Sequence, residues 1–348
     1  MPLTLSFHGP VGSRLGKFSS GGLENRLAIV GSPERASRAA RRIARRIGGT
    51  GNRFRIEVFS DRMAPDEKVG EAGTDIDRLT TLVSSGQIGR VLLATPVGEH
   101  ERIAAVVRRL EGTAANVDLI VLDGFSTDLR FGAAGDVCIA PVLKRPLTPF
   151  QDFVKSTLDK VGAFLLLAVM APVLLAIALL VKLTSPGSVL FRQQRFGLNN
   201  QKFAVLKFRT LYSHRADLNA RQPVQRHNER VTPIGKILRA LSLDELPQLV
   251  NVLKGDMSLI GPRPLPVDLR VEGRLCREFP HYPARHRIRP GVTGLAQING
   301  WRGGMEVAED LEKRLAYDLA YINNYSLLLD VKIAIATVLV LLKPSNAY

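Results

Sequence analysis

Ser242-Leu-Asp-Glu-Leu-Pro-Gln-Leu-Val-Asn-Val-Leu-Lys-Gly-Asp-Met-Ser-Leu-Ile-Gly-Pro-Arg-Pro264 places two adjacent carboxylates, Asp244 and Glu245, just before an apolar helical run, residues 246–253. Arg239 stands upstream and a Gly-Pro-Arg-Pro turn follows. Ser242-x-x-Glu245 matches a capping box, which needs no chemistry. In that register Pro247 would sit inside the helix, where its missing N–H breaks a backbone bond. With Asp244 as N-cap, Pro247 falls in the first turn and loses nothing. Both carboxylates then face the positive helix end, which favours their ionised forms. Acids so placed, with arginines on both sides, suit a metal-bound phosphate ester: a carboxylate can ligate the cation or attack phosphorus. Plain structural capping is the other reading of the same residues.

The chain has 348 residues, room for two domains, with a formal charge of +16. Residues 192–302 hold 20 Lys/Arg against 8 Asp/Glu, so +12 of that charge lies in this third. Such a surface suits nucleic acid, anionic lipid or nucleotide phosphates. Cys138 and Cys276 stand far apart and make neither a metal pattern nor a disulfide framework, which fits a reducing compartment. Each is expected to be a small buried hydrophobe. Residues 1–23 lack the apolar core of a secretory signal and are rich in Gly and Ser, so a flexible tail is expected there.

Upstream of the carboxylates, strands are expected at 27–31, 54–59, 90–94 and 117–122, and helices at 33–47, 75–84 and 99–110. This alternation predicts an α/β, Rossmann-like parallel-sheet domain over 24–145. Its first turn, Val30-Gly-Ser-Pro-Glu34, has one glycine and not a dinucleotide fingerprint, so a regulatory or structural role is expected. Asp61 and Asp123 follow strands and read as turn residues.

After a Pro-rich boundary at 143–149 comes an uncharged apolar run, residues 161–181, long enough to span a bilayer. A single spanning helix is the plain reading. Pro172, near its centre, favours a re-entrant helix over 157–182, each arm about 15 Å long and half the hydrocarbon thickness. Lysines flank both ends, as when both ends stay on one side. Spanning helices also tolerate proline, so both topologies stand at this point.

Residues 189–192 and 203–210 read as strands, with Lys207 and Arg209 on one face. A helix over 234–241 carries Arg239. Residues 269–279 read as helical. The loop 282–300 is basic and glycine-rich: Arg285, Arg287 and Arg289 alternate, and Gln297 and Asn299 add neutral hydrogen-bonding groups. It would suit phosphate or RNA equally. His281 and His286 lack partners at metal spacing. A helix is expected over 308–325. The apolar stretch 326–343 is interrupted by Asp330 and Lys332, and its uncharged part is too short to span, leaving an interfacial or a core helix.

Residues 153–348 resemble the bacterial sugar transferases, the monotopic phosphoglycosyl transferases that start lipid-linked glycan assembly. The marks are Thr184-Ser-Pro-Gly187, Leu190-Phe-Arg-Gln193, Lys207-Phe-Arg-Thr210, Thr232-Pro-Ile-Gly-Lys-Ile-Leu-Arg239 and the carboxylate stretch itself. They continue with Gly261-Pro-Arg-Pro264, Arg289-Pro-Gly-Val-Thr-Gly-Leu-Ala-Gln-Ile-Asn-Gly300, and Asp318 to Asp330. Asn299-Gly-Trp-Arg302 and Asn346-Ala-Tyr348 are most similar to the undecaprenyl-phosphate glucose phosphotransferase branch, which also has a Rossmann-like domain before its catalytic part. Two departures stand out. Larger members carry several N-terminal transmembrane helices, none of which is expected here. Many relatives have Ser-Pro in the re-entrant helix, where this chain has Ala171-Pro172. The bend is expected to survive without the serine hydroxyl.

The resemblance implies a monotopic membrane α+β catalytic domain over 146–348 with a Pro-broken re-entrant helix, Pro172 marking the bend. It implies transfer of sugar 1-phosphate from a UDP-sugar, glucose at branch level, to undecaprenyl or another polyprenyl phosphate. UMP is released, and the reaction opens exopolysaccharide or other lipid-linked glycan assembly. By likeness Asp244 is the nucleophile, through a phosphosugar–aspartate, and Glu245 with Asp244 holds Mg²⁺. Lys207, Arg209, Arg239, Arg263, Arg287, Arg289, Gln297 and Asn299 are the expected phosphate- or nucleotide-binding residues. The expected partners are the UDP-sugar, polyprenyl phosphate and the lipid bilayer, with a homodimer left open. The apolar run and the few aromatics near basic loops weigh against nucleic acid. The expected location is the bacterial inner membrane, with the catalytic domain on the cytoplasmic face. The alternative is a catalytically silent membrane-attached assembly or regulatory subunit.

Overall fold

The computed structural model describes residues 4–10, 25–47, 51–61, 75–121, 138–212, 230–303, 305 and 307–342. The chain divides into two compact units, residues 1–145 and 146–348.

The first unit runs β1 (Thr4–Pro10), β2 (Asn25–Gly31), α1 (Pro33–Ile47), β3 (Gly51–Ser60), α2 (Asp75–Ser84), β4 (Arg90–Leu93), α3 (His100–Leu110), β5 (Asn116–Val121) and β6 (Cys138–Leu143). One sheet takes the order β1-β3-β2-β4-β5-β6. Its four central strands are parallel and both edge strands are antiparallel. Period-two alternation divides the core. Leu27 and Ile29 of β2 face the alanine-rich side of α1, while Ala28 and Val30 face α2 and α3 on the other side. Two strands depart from the sequence reading. Thr4–Pro10 was expected in a flexible tail but pairs with β3; its Leu5 and Phe7 alternate with polar residues, a short strand signal. The β6 edge strand was not foreseen. Asp61 is more than a turn residue: it is buried, and Thr95 donates its hydroxyl to Asp61 Oδ2 at 3.3 Å. Asp123 and the side chain of Cys138 lie outside the described residues.

The second unit opens with α4 (Pro149–Thr184), 36 residues capped by a Thr148–Gln151 capping box. There follow β7 (Leu190–Phe196), β8 (Lys202–Phe208), α5 (Pro233–Ala240), α6 (Gln248–Lys254), β9 (Ser258–Ile260), β10 (Arg270–Val271), β11 (Arg274–Leu275), β12 (Gly291–Thr293), α7 (Leu295–Ile298), α8 (Ala308–Asn323) and α9 (Leu327–Leu342). α4 stays helical through Pro172, so any two arms meet within one continuous helix. α4 faces the unit at two patches, Lys155, Asp159 and Ala163 in one and Ile177 and Val181 in the other, with Leu167 and Leu174 partly buried beside them and the rest of 164–176 mostly exposed. The opposite face is exposed and apolar, including Phe150, Phe153, Phe164, Leu165, Val169, Leu175, Leu179 and Leu183. α9 is not a core helix either, since Leu328, Val331, Ile335, Val338 and Leu339 are exposed and Ile333 is buried.

A buried polar knot joins these helices. Lys155 Nζ lies 2.7 Å from Asp330 of α9 and 3.5 Å from Asp159. Asp159 accepts from the Ser258 hydroxyl at 2.6 Å and the Leu259 amide at 3.2 Å.

Residues 269–279, expected to be helical, instead form the β10–β11 hairpin and a 3₁₀ turn over Cys276–Glu278. Glu272 (φ 50°) and Gly273 (φ 77°) are both left-handed, the backbone that a two-residue hairpin turn demands.

Glycines let β9 and β12 meet. A Cβ on Gly291 would lie 2.1 Å from the Gly261 nitrogen, and one on Gly294 would lie 2.1 Å from the Gly261 oxygen. Backbone cannot yield as a side-chain tip can. Gly291→Ala is therefore expected to destabilise the second unit by about 3 kcal/mol or more, read as a lower denaturant midpoint of detergent-solubilised protein.

Candidate active site

The carboxylate pair sits on neither of the two caps considered from sequence. Ser242 takes a left-handed conformation (φ 58°) and makes no side-chain cap. Leu243–Glu245 is one 3₁₀ turn, and α6 begins only at Gln248. Pro247 immediately precedes α6, where its missing N–H costs no helix bond. The pair is thus held between the end of α5 and the start of α6, with both side chains buried.

Both Glu245 oxygens accept charge-assisted hydrogen bonds, with acceptor capacity left on Oε2. Lys207 Nζ donates to its Oε1 at 2.6 Å, and Arg263 closes a two-pronged fork, Nη1 to Oε2 at 2.8 Å and Nη2 to Oε1. Bidentate arginine–carboxylate pairs are among the strongest charge-assisted contacts. Burial alone would raise the Glu245 pKa, but the charges and hydrogen bonds of Arg263 and Lys207 hold it well below the usual carboxylate value. Asp244 differs: no hydrogen bond or ion pair joins it to any described residue. Burial pushes its pKa up, with the negative charge of Glu245 adding to this, and Lys207, Arg239 and Arg263 oppose the rise. Burial also pulls the Lys207 ammonium down, against the pull of Glu245. The two adjacent acids thus differ: one is an anion within a cationic clamp, the other a carboxylate that makes no hydrogen bond or ion pair with a described residue.

Of the expected site residues, the fold brings Lys207, Arg239 and Arg263 to the pair. Arg209 is turned away: it donates to the Ser185 and Pro186 carbonyl oxygens at 2.7 and 2.8 Å and to the Ser185 hydroxyl, closing the turn after α4. β8 ends at Phe208, so the strand face assumed for Lys207 and Arg209 stops between them. Arg289 pairs with Asp152 in the first turn of α4 at 2.6 Å. Arg287 is buried on the 3₁₀ turn Pro283–Arg287. Gln297 is buried in α7, its Nε2 donating to the Val292 carbonyl, and Asn299 is exposed and donates to the Leu295 carbonyl. Pro172 lies on the exposed face of α4.

Two residues that sequence reasoning passed over shape the site. Asn251, on α6, donates to the Ala204 carbonyl at 2.8 Å and accepts from the Leu206 amide at 3.0 Å. It clamps β8 and so sets Lys207. An amide inside the apolar run Leu-Val-Asn-Val-Leu was its signal. Arg195 of β7 donates to the Pro264 carbonyl at 2.5 Å and steadies the turn that carries Arg263.

Cys276 is buried and its thiol is pushed up to about 11 by burial, as suits an inert small hydrophobe. His286 is also buried, its ring 5.7 Å from that of Phe196 and 5.3 Å from that of Tyr282. Burial, and then the neighbouring Arg285 charge, push its pKa well below the usual value. Native His286 stays neutral where the unfolded chain takes up a proton. Its stabilising contribution is complete above about pH 6.5 and is lost as pH falls from there towards the native value, at about 1.4 kcal/mol per pH unit. The denaturation midpoint should fall between about pH 7.5 and about pH 5.5, and His286→Phe should remove about one proton from that dependence.

The chain is similar in sequence to several known proteins. A family model described as bacterial sugar transferase matches residues 150–344. An undecaprenyl-phosphate glucose phosphotransferase of Komagataeibacter xylinus is 38% identical over 323 residues, 91% of this chain and 59% of that protein. A UDP-glucose:undecaprenyl-phosphate glucose-1-phosphate transferase of Escherichia coli (strain K12) is 39% identical over 280 residues, 78% of this chain and 60% of that protein. A protein of the same description from Caulobacter vibrioides is 49% identical over 197 residues, 57% of this chain and 73% of that protein. The chain spans about three fifths of the first two.

Proposed function

The chain belongs to the bacterial sugar transferase family, and from that premise we propose that it transfers glucose 1-phosphate from UDP-glucose to undecaprenyl phosphate, releasing UMP. The observation that carries the reading is the divided carboxylate pair: Glu245 is clamped by Lys207 and Arg263, and Asp244 beside it makes no hydrogen bond or ion pair with a described residue. Asp244 attacks the phosphorus that bears the sugar, and the bond from that phosphorus to the bridging oxygen breaks, UMP leaving with the oxygen. The acceptor phosphate then attacks the same phosphorus and frees Asp244. Lys207, Arg239 and Arg263 favour the ionised nucleophile and spread the phosphoryl charge.

The acids fit a magnesium ion by donor chemistry. Such an ion needs only one or two protein carboxylates, the remainder being water and substrate phosphate oxygens. Asp244 and Glu245 are the residues that would hold it, and it would supply charge neutralisation on the diphosphate.

For membrane attachment we infer that α4 and α9 lay their apolar faces into one leaflet of the inner membrane, with the catalytic unit on the cytoplasmic face. α4 packs on the unit near both of its ends, at Lys155–Ala163 and at Ile177–Val181, while residues 164–176 between them are exposed or half-buried. A perpendicular crossing would carry the buried knot and the flanking strands into lipid. Both ends of α4 are tied to the same unit, through Lys155–Asp330 and Arg209–Ser185. Cysteines at Gln151 and Ser188, both exposed, should therefore react with a membrane-impermeant reagent from the same side; labelling from opposite sides would restore a spanning helix.

The reaction is tested by UMP release from the detergent-solubilised chain, given Mg²⁺, undecaprenyl phosphate and a panel of UDP-sugars. Release with UDP-glucose alone supports the proposal in full. Release with another sugar keeps the class and replaces the substrate. No release with any of them, from folded protein, would favour a silent assembly or regulatory subunit.

A further inference from the structure

The turn that carries Arg263 cannot hold itself. In Gly261-Pro-Arg-Pro264 only two residues own an N–H, so its carbonyls need donors from elsewhere. The Gly291 amide donates to the Pro262 carbonyl at 3.0 Å, and Arg195 serves that of Pro264. The Arg263 carbonyl is served by Arg285, whose Nη2 donates to it at 2.5 Å. The same Nη2 lies 2.7 Å from Asp318 Oδ2 on α8, in an ion pair whose two side chains are 1% and 2% exposed. Burying such a pair is costly, and well-packed apolar residues would serve stability as well or better. Neighbouring Leu311 and Leu315 already bury this side of α8 in apolar surroundings. The charges therefore need a reason beyond packing, and the carbonyl that they reach belongs to the residue that forks Glu245.

We propose that Asp318 and Arg285 are positioning residues for the transfer: Asp318 aims Arg285, and Arg285 pins the main chain of Arg263 so that its guanidinium stays on the carboxylate pair. This rests on the reaction proposed above.

The test replaces the pair by apolar residues of similar size, Arg285→Met with Asp318→Leu, in the full chain. Its melting temperature should stay within about 4 °C of the parent, because the ion pair leaves as a unit. UMP release should nevertheless lose about 30-fold in kcat, with KM changed by less than about threefold, since a displaced Arg263 costs most in the transition state. Arg285→Lys, which keeps a cation beside Asp318 on a shorter stem, should lose less kcat than the double variant. In an Arg263→Ala background the double replacement should cost less than about twofold more, as befits residues acting through Arg263. Full kcat in the stable double variant, or an undiminished loss in the Arg263→Ala background, would overturn the proposal. Amide hydrogen exchange separates this from the function itself. Exchange at residues 261 and 263 should quicken about tenfold in the double variant, and unchanged exchange would refute the pinning whether or not UMP is seen. Absence of UMP from the parent would count against the proposed reaction alone. Should the double variant not fold, Asp318→Asn takes the same two measurements.

Discussion

Asp244→Asn should abolish UMP release, by on the order of 10⁴-fold or more, while leaving the protein folded. The amide keeps the size and planarity of the carboxylate. Asp244 makes no hydrogen bond or ion pair with a described residue, so the replacement forfeits none among them. Burial already works against its charge, so an uncharged side chain should hold or slightly raise the melting temperature. An account in which the pair is only a structural cap predicts the reverse, little change in turnover. The two measurements together are decisive: turnover above about a tenth of the parent would remove Asp244 from the chemistry.

Lys155→Leu should have the largest effect on stability. Lys155 is 3% exposed and faces both Asp330 and Asp159. Its removal leaves two carboxylates buried without a cation. Asp159 keeps Ser258 and the Leu259 amide, but among the described residues Asp330 keeps one side-chain donor, the Tyr321 hydroxyl at 2.7 Å. Breaking a buried pair in this way costs about 3–5 kcal/mol, so a sharp fall in melting temperature is expected. Adding Asp330→Leu should recover part of it, because an apolar pair in place of an ion pair is often tolerated. Unchanged stability in Lys155→Leu would mean that the knot does not hold α4 and α9 together.

Much of the layout could be read from residue order. Helices α1 and α2 begin and end where proline, acidic first turns and periodicity place them, and the four central strands follow from apolar runs between turn residues. Lys207, Arg239, Arg263 and the two acids were singled out and do meet. Where the structure departs from the sequence reading, tertiary contacts are the common origin. Arg209 and Arg289 carry the same charge as Arg263, but the Ser185–Pro186 carbonyls and Asp152 claim them. Nothing local in the sequence sorts one arginine from another. The 270–275 hairpin was hidden because Glu272 adopts a left-handed conformation that its residue type rarely takes. Pro172 does not end α4, whose exposed face leaves the proline ring clear of the packed patches. Arg285 and Asp318 were visible only as members of a basic loop and of a polar helix, since their pairing depends on how α8 packs.

The most direct test of the central claim is incubation of the purified chain with UDP-glucose and Mg²⁺, with no lipid acceptor, followed by UMP quantitation and peptide mass analysis. Transfer through Asp244 predicts a burst of about one UMP per protein and a hexose phosphate on the peptide that contains Asp244, discharged when undecaprenyl phosphate is added. UMP release that strictly requires the acceptor, with that peptide unmodified throughout, would contradict it.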